Sequence, residues 1–273
     1  MLVFPNCKIN LGLQVRRRRA DGYHDLETLF YPVPVHDVLE GIQAEGRGSL
    51  GFSASGRPVT ATPEQNLCYQ AYELLKQRFP GLPSVNLHLH KILPSGAGIG
   101  GGSADAAFTL LLLNEKLKLG LETGALAALA LGLGSDCPFF IYNRPSFAAG
   151  RGELLEPVDI DLSGYWLQLV HTGLHIPTSA AFRHVTPNDE RPSLRTLVAV
   201  PPAQWRNTLH NDFEDSVFPQ YPELARLKQS FYDRGALYAA MTGSGSAVFG
   251  IFSGDPGPET SFPPAWFHRT VRL

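Results

Sequence analysis

Apolar residues occupy every second position of residues 8–15, the first regular pattern in the chain. Side chains of a β-strand alternate between its two faces, so this period predicts a half-buried strand. Lys8 and Asn10 then lie on its polar face. A second β-like run covers residues 28–35, and alternation returns over residues 85–92.

Helical spacing of apolar residues predicts helices that are separated by glycine and proline. The first begins after Asn66, which we interpret as its N-cap, and stops before Pro80. The second is capped by Ser103 and runs to about Leu119, because Gly120 suits the position after a helix end. Further predicted elements are helices over 122–131, near 180 and over 222–234, and strands over 165–171 and 247–252.

Strand and helix signals are mixed along the whole chain, which is typical of the α+β class. Hydrophobic residues make up 44% and charged residues 18%, which fits a soluble globular protein with ample core. A shift toward glycine and proline near residues 150–160 predicts a boundary between two domains. We place these domains at residues 1–152 and 153–273.

Charge and cysteine usage exclude several functional classes. The formal net charge of −2 gives no basic footprint for nucleic-acid binding. The cysteines are odd in number and far apart, so they predict no disulfide framework or zinc site and suit a reducing compartment. No apolar run reaches the roughly 20 residues that span a bilayer, and no secretory-signal pattern is found. We therefore expect a cytoplasmic protein that binds neither nucleic acid nor a membrane.

A glycine-rich segment at residues 94–104 gives the strongest chemical signal. It lies between a predicted strand and a predicted helix, and glycine lets backbone N–H groups approach an anion closely. The positive end of the following helix also favours phosphate. A dinucleotide fingerprint would need an acidic residue after a second strand, and a Walker loop would need lysine where Gly102 stands. We therefore predict a phosphate-binding loop of another kind, with a plain surface turn as the alternative.

Phosphoryl transfer also needs positive charge and a group that orients the attacking hydroxyl. Lys8 is the candidate for the charge, although a lysine on a polar strand face is by default simply exposed. Asp136 is the candidate carboxylate, and a capping role at the turn before Pro138 is its alternative. His88 and His90 share a strand face, and we interpret them as solvent-facing rather than as a metal site because no third ligand is evident.

Three segments together resemble the superfamily of galactokinase, homoserine kinase, mevalonate kinase and phosphomevalonate kinase (GHMP kinases). They are residues 6–13, the loop with its helix start at 94–107, and residues 241–249. Within that superfamily, residues 19–24 and 134–140 are similar to the family that phosphorylates 4-diphosphocytidyl-2-C-methyl-D-erythritol. The Asp-Gly-Tyr-His sequence in the first of these is the most specific, since other superfamily members lack it at this spacing.

The resemblance implies two domains, an N-terminal ATP-binding half like ribosomal protein S5 domain 2 and a C-terminal ferredoxin-like α/β sandwich. It implies that ATP, with Mg²⁺, phosphorylates the 2-hydroxyl of the methylerythritol unit in the non-mevalonate route to isoprenoid precursors. A GHMP kinase for another small alcohol, such as mevalonate or homoserine, is the alternative. A nucleotide-binding module without catalysis is the third hypothesis. We expect a monomer or a weak homodimer.

The resemblance also implies roles for individual residues. Lys8 and Asp136 are the catalytic pair, the first as charge stabiliser and the second as base or orienting carboxylate. Tyr23 and Phe182 stack on the cytosine and His24 hydrogen-bonds to its edge, while no residue is assigned as a metal ligand. The implied ATP-binding residues are Pro94, Ser95, Gly96, Ala97, Gly98, Ile99, Gly100, Gly101, Gly102, Ser103 and Ala104. The implied substrate-binding residues are Asn10, Tyr23, His24, Thr178, Phe182, Gly243 and Ser244.

Two residues near the phosphate loop need separate expectations. Ala97 replaces a glycine of the family's loop, so this position must not require a positive φ. Asp105, just inside the helix start, would repel phosphates, so we expect it to point away from them or to help with Mg²⁺.

Overall fold

The computed structural model describes residues 1–59, 62–257 and 262–273. Its strands are β1 (Leu2–Val3), β2 (Asn6–Arg18), β3 (His24–His36), β4 (Val38–Arg47), β5 (Leu50–Gly56), β6 (Pro83–Lys91), β7 (Ser146–Gly150), β8 (Leu154–Pro157), β9 (Trp166–His171), β10 (Tyr238–Met241), β11 (Val248–Phe252) and β12 (Phe267–Arg272). Its α-helices are α1 (Leu67–Arg78), α2 (Gly101–Lys116), α3 (Thr123–Leu131), α4 (Cys137–Tyr142), α5 (Thr178–Ala181), α6 (Leu194–Leu197), α7 (Phe213–Val217) and α8 (Pro222–Asp233). Short 3₁₀ turns cover Pro63–Gln65, Phe182–His184 and Pro202–Asn207.

The chain divides into two compact units, and neither is one continuous stretch of sequence. Unit 1 comprises Met1–Cys7, Val35–Ser95 and Gly100–Arg144. Unit 2 comprises Lys8–Pro34, Gly96–Ile99 and Pro145–Leu273. The two-domain α+β architecture is confirmed, while the boundary between residues 152 and 153 stays a prediction.

Unit 1 contains a four-stranded sheet in the order β1-β4-β6-β5. β4 runs antiparallel to β6 with Leu39 opposite Leu89, whereas β5 runs parallel to β6. Val85, Leu87 and Leu89 are buried, so the apolar face predicted from the sequence is the face that forms the core. α2 packs against β4 and α1, and α4 packs against α2 and α3.

The polar face of the same sheet carries the two histidines of β6. His88 ring nitrogens lie 2.8 Å from Ser53 Oγ and 2.9 Å from Ser55 Oγ. His90 Nδ1 lies 2.9 Å from Ser55 Oγ, and its side chain is exposed. Both histidines therefore lie on the polar face that strand alternation predicts.

Unit 2 contains two four-stranded sheets, β2-β3-β7-β8 and β10-β11-β9-β12. All neighbouring strands of the second sheet are antiparallel. α8 packs on β10 and β11, and Leu224, Leu227 and Phe231 of one helix face join a buried cluster with Met241 and Val248. This spacing of three and four residues is how a helix covers a core, and it agrees with an α/β sandwich half.

The predicted N-cap of α1 is confirmed, while both ends predicted for α2 need correction. Asn66 caps α1, since its side chain accepts a hydrogen bond from Cys68 N–H at 2.9 Å. The N-cap of α2 is Gly100 rather than Ser103, and the helix ends at Lys116 rather than near residue 119. Glycine is a poor helix former, so the glycines before Ser103 concealed the true start. Within the described residues, no helix is both long and apolar enough to cross a bilayer.

Candidate active site

Lys8 on β2 is 3% exposed, so the interpretation as an exposed strand lysine is wrong. Its Nζ donates a hydrogen bond to Asn10 Oδ1 at 2.7 Å and lies 4.4 Å from the ring centroid of Phe30. A buried ammonium needs such partners, because removing its charge from water is costly. The backbone N–H of Lys8 donates to Ile99 O at 2.9 Å, which ties β2 to the middle of the glycine loop.

Asn10 is the centre of a buried hydrogen-bond network in unit 2. Its Nδ2 donates to Thr28 Oγ1 at 2.7 Å, and that hydroxyl donates to Gly12 O at 2.6 Å. Its Oδ1 lies 3.1 Å from Thr242 Oγ1, and its backbone N–H donates to the same hydroxyl at 3.0 Å. Both polar atoms of the amide are therefore paired, which fixes its orientation. Sequence reasoning missed Thr28 and Thr242 as members of the site. Of the two, only Thr242 had a signal in the sequence, because it lies in the glycine-containing segment at residues 241–249.

Gly98, in the middle of the glycine loop, packs against residues 242 and 243, also within unit 2. Gly98 has a φ of +77°, and a Cβ there would lie 2.2 Å from Thr242 O. Gly243 has a φ of +55°, and its Cβ would lie 2.9 Å from Gly98 O. Both positions thus require glycine for backbone conformation and for space. Ala97 is not among the residues with positive φ, as predicted, and its O accepts a hydrogen bond from Ala247 N–H at 3.1 Å.

α2 begins directly after the loop, in unit 1. Gly100 precedes it with a left-handed φ of 71° and has no side chain to cap the helix. The first turn of an α-helix has unsatisfied N–H groups and the positive end of the helix dipole, a combination that favours phosphate. Gly102 in this turn is exposed, and Ser103 is half-buried. The local chemistry therefore supports the predicted phosphate-binding role of this segment.

In unit 1, a buried network of charged side chains joins the end of β6 to the start of α2, the two elements that flank the glycine loop. Lys91 Nζ lies 2.5 Å from Asp37 Oδ2 and 2.6 Å from Asp105 Oδ2. Asp37 Oδ1 also accepts the backbone N–H groups of Ile92 and Leu93 at 2.5 and 2.8 Å. Sequence reasoning named neither Asp37 nor Lys91, because nothing local marks residues so far apart as partners.

Asp105 is turned into the interior of unit 1, where it is 3% exposed and bound by Lys91. Burial raises the pKa of its carboxyl to about 7, and the attraction of Lys91 opposes that rise only in part. Its Oδ1 has no hydrogen-bond partner among the described residues. Of the two expectations for Asp105, this geometry favours a carboxylate that points inward.

Asp136 lies at the first turn of α4 in unit 1 and is half-buried. It occupies the N-cap position with helical backbone angles and makes no side-chain capping hydrogen bond, so the capping interpretation is not supported. Phe139 and Phe140 behind it are fully buried, which anchors α4. Asp136 belongs to unit 1 and Lys8 to unit 2, and each is positioned by the packing of its own unit.

The residues expected to bind the substrate form two contacts in unit 2. The rings of His24 and Phe182 stack with centroids 4.6 Å apart and planes at 17°, and Phe213 packs edge-on to Phe182. Thr178 Oγ1 lies 3.2 Å from Ser244 Oγ. Burial, with a smaller effect from the positive charge of Arg18, lowers the pKa of His24. At neutral pH a lowered pKa favours the neutral imidazole, which has one donor and one acceptor nitrogen.

Tyr23, unlike His24 and Phe182, is an exposed residue, with 52% of its surface accessible to solvent. The guanidinium carbon of Arg151 lies 3.9 Å from its ring centroid. Arg151 was not singled out from the sequence, because it comes from a hairpin more than a hundred residues away along the chain.

Two family models match the chain. The N terminal domain of GHMP kinases matches residues 66–144, and the C terminal domain of GHMP kinases matches residues 202–260. A 4-diphosphocytidyl-2-C-methyl-D-erythritol kinase of Bacteroides fragilis is 50% identical over 254 residues, which cover 93% of this chain and 92% of the relative. A kinase of the same name from Parabacteroides distasonis is 49% identical over 252 residues, which cover 92% of each chain.

Solved structures agree with these matches. A crystal structure of a 4-(cytidine 5'-diphospho)-2C-methyl-D-erythritol kinase is similar with a TM-score of 0.78 and 36% identity, covering 92% of this chain and 90% of that one. A mevalonate kinase is similar with a TM-score of 0.71 at 11% identity, a likeness that concerns the fold alone.

Proposed function

Since the chain belongs to the family of 4-diphosphocytidyl-2-C-methyl-D-erythritol kinases among the GHMP kinases, we propose that it phosphorylates the 2-hydroxyl of that compound with ATP. The reaction is a step of the non-mevalonate route to isoprenoid precursors. The observation that carries the proposal is 50% identity to a relative of that name over 93% of the chain. The alternative of a mevalonate-like acceptor is supported by a shared fold at only 11% identity.

Asp136 and Lys8 carry the chemistry in this proposal. The substrate hydroxyl oxygen attacks the γ-phosphorus, the bond from that phosphorus to the bridging oxygen of ADP breaks, and the hydroxyl proton passes to the Asp136 carboxylate or to solvent. Lys8 stabilises the negative charge that develops on the transferred group. Its ammonium is supported by a paired amide oxygen of Asn10 at 2.7 Å, so little reorganisation is needed during the reaction.

The glycine loop and the start of α2 bind the ATP phosphates in this proposal. The left-handed Gly98 and Gly100 turn the backbone sharply, and the first turn of α2 supplies N–H donors. Mg²⁺ prefers phosphate and water oxygens with few protein ligands, and the Ser103 hydroxyl would be an oxygen ligand available to it at this helix start. The chemistry that Mg²⁺ would supply there is neutralisation of charge on the phosphates.

Cytosine recognition is assigned to Tyr23, His24 and Phe182. Stacking of a base on an aromatic side chain contributes roughly 1–3 kcal/mol. The neutral imidazole of His24, favoured by its lowered pKa, offers a donor and an acceptor to the base edge. Thr178, Ser244 and Gly243 supply further polar contacts to the substrate.

We also place the enzyme in the cytoplasm, as a monomer or weak homodimer. All three cysteines of the chain are buried free thiols, which suits a reducing compartment.

A coupled assay of ADP release tests the proposal directly. Purified protein, ATP and Mg²⁺ are combined with 4-diphosphocytidyl-2-C-methyl-D-erythritol, mevalonate or homoserine, and turnover is expected with the first acceptor alone. Asp136→Asn should lower kcat by about 10²–10⁴-fold with little change in ATP affinity. Asp233→Asn, at an exposed helix end, is the matched control and should match the wild type. Turnover on another alcohol alone would refute the assigned acceptor, and ATP binding without turnover on any alcohol would indicate a non-catalytic module.

A further inference from the structure

A hairpin of unit 2 places Arg151 against the exposed ring of Tyr23. The turn between β7 and β8 is tight, since Gly152 N–H donates to Ala149 O at 3.0 Å and Arg151 N–H donates to Glu153 Oε2 at 2.5 Å. Gly150 and Gly152 take φ values of +69° and +104°, which glycine adopts without strain. The backbone of Arg151 is therefore well fixed.

The register of the sheet brings this turn to the start of β3. Leu26 of β3, three residues after Tyr23 in the chain, pairs with Gly150 of β7. The guanidinium carbon of Arg151 then lies 3.9 Å from the centroid of the Tyr23 ring, which is a stacking distance.

Tyr23 has a fixed backbone but an exposed ring. Its N–H donates to Asp21 Oδ1 at 3.1 Å, and its O accepts a hydrogen bond from Arg19 N–H at 2.8 Å. Tyr23 is 52% exposed, so its side chain loses conformational freedom when a ligand orders it. Ordering such a ring when a base binds weakens the binding.

We propose that Arg151 is a positioning residue for nucleobase recognition: its guanidinium covers one face of Tyr23 and presents the other face to the base. The inference rests on the proposed function, because it assumes that Tyr23 contacts the base of a cytidine-containing substrate. A cation over an exposed aromatic ring changes an equilibrium by a factor of about 2 to 5. That factor should appear in ligand binding rather than in the chemical step.

The experiment measures Arg151→Ala beside the wild type and a matched control. Arg206→Ala is the control, because Arg206 is also exposed and also lies over a tyrosine, with its guanidinium carbon 4.1 Å from the ring centroid of Tyr232. Arg151→Ala should raise the KM for the cytidyl substrate about 2- to 5-fold. Its kcat and its KM for ATP should stay unchanged, and Arg206→Ala should change none of these values.

Two further readouts separate positioning from a direct charge effect. The affinities for cytidine and for CDP, measured by calorimetry, should fall by the same factor, since stacking on Tyr23 does not depend on the diphosphate. With Tyr23→Ala already present, Arg151→Ala should have no further effect on either affinity. With an active wild type, three outcomes would overturn the inference. These are a loss of affinity for CDP but not for cytidine, full additivity of Arg151→Ala with Tyr23→Ala, and kinetics of Arg151→Ala equal to those of Arg206→Ala. A wild type that neither binds cytidine nor turns over the cytidyl substrate would instead overturn the proposed function.

Discussion

Lys8 in unit 2 and Lys91 in unit 1 are 3% and 2% exposed, yet their surroundings differ. Lys91 lies between two carboxylates, Asp37 and Asp105, at 2.5 and 2.6 Å. Within its own unit, Lys8 lies against the amide oxygen of Asn10 and the ring of Phe30. Burial alone therefore does not distinguish a lysine that stabilises the fold from one for which we propose a role in the chemistry.

The two lysines differ in the chemical groups that contact them within their own units. The charge of Lys91 neutralises buried carboxylates, and Asp37 in turn binds two backbone N–H groups at the end of β6. Within unit 2, the contacts of Lys8 with the Asn10 amide and the Phe30 ring orient its ammonium. Substitutions at the two lysines should accordingly separate stability from turnover.

Lys91→Met should have the largest effect, and it should be on stability. The substitution leaves two carboxylates buried without their cation, and breaking a buried ion pair from one side costs about 3–5 kcal/mol. We expect a large drop in the urea midpoint of unfolding, while kcat per folded molecule stays close to that of the wild type. Lys76→Met is the matched control, because Lys76 forms an exposed pair with Glu73 at 3.5 Å and should change stability by less than about 1 kcal/mol. Equal midpoints for the two variants would contradict the structural role of Lys91.

Lys8→Met should show the opposite profile, with lost turnover and a preserved fold. Removing one preorganised group that stabilises developing charge lowers kcat by about 10²–10³-fold. Stability should change little, since methionine keeps the volume and Asn10 Oδ1 remains bonded to Thr242 Oγ1 at 3.1 Å. Steady-state kinetics and urea unfolding of the same preparations measure kcat and the free energy of unfolding side by side. A variant that unfolds as readily as Lys91→Met would remove the distinction between the two lysines.

Sequence reasoning recovered elements with one buried and one exposed face, such as β6 and α1, and also β11, whose five residues are all buried. β6 and α1 follow from their periods, and the cap at Asn66 follows from its residue type. β10 was not predicted, since its four residues show no alternation of polar and apolar side chains. The start of α2 was misplaced because the glycines before it carry no helix signal.

The candidate site was predicted only as far as local patterns reach. Alternation predicted a half-buried strand for β2, which is wrong, because its residues from Asn6 to Val15 are all buried. Burial of the polar face, including Lys8, depends on packing that brings distant parts of the chain together. Asp37 and Lys91 are 54 residues apart, and a partnership of that separation leaves no periodic signal. Arg151 was missed for the same reason, since only the pairing of β3 with β7 brings it to Tyr23.

A pH dependence of stability should arise at Asp105, one of the two carboxylates that contact Lys91. Burial raises the folded-state pKa of this carboxyl to about 7, well above its ordinary value. The folded state then binds its proton more tightly than the unfolded state, so this contribution to stability is full at acidic pH. It is lost as the pH rises toward about 7, by at most roughly 1.4 kcal/mol per pH unit for one proton.

Asp105→Asn isolates this contribution, because an amide resembles the protonated carboxyl and does not titrate. Urea unfolding of the variant and the wild type between pH 5 and about 8 should show the wild type losing stability relative to the variant as the pH rises. The relative loss should level off above the folded-state pKa, where Asp105 is ionised in both states. A difference that stays constant over this range would show that Lys91 keeps the Asp105 carboxylate ionised throughout, and it would contradict the raised pKa of Asp105.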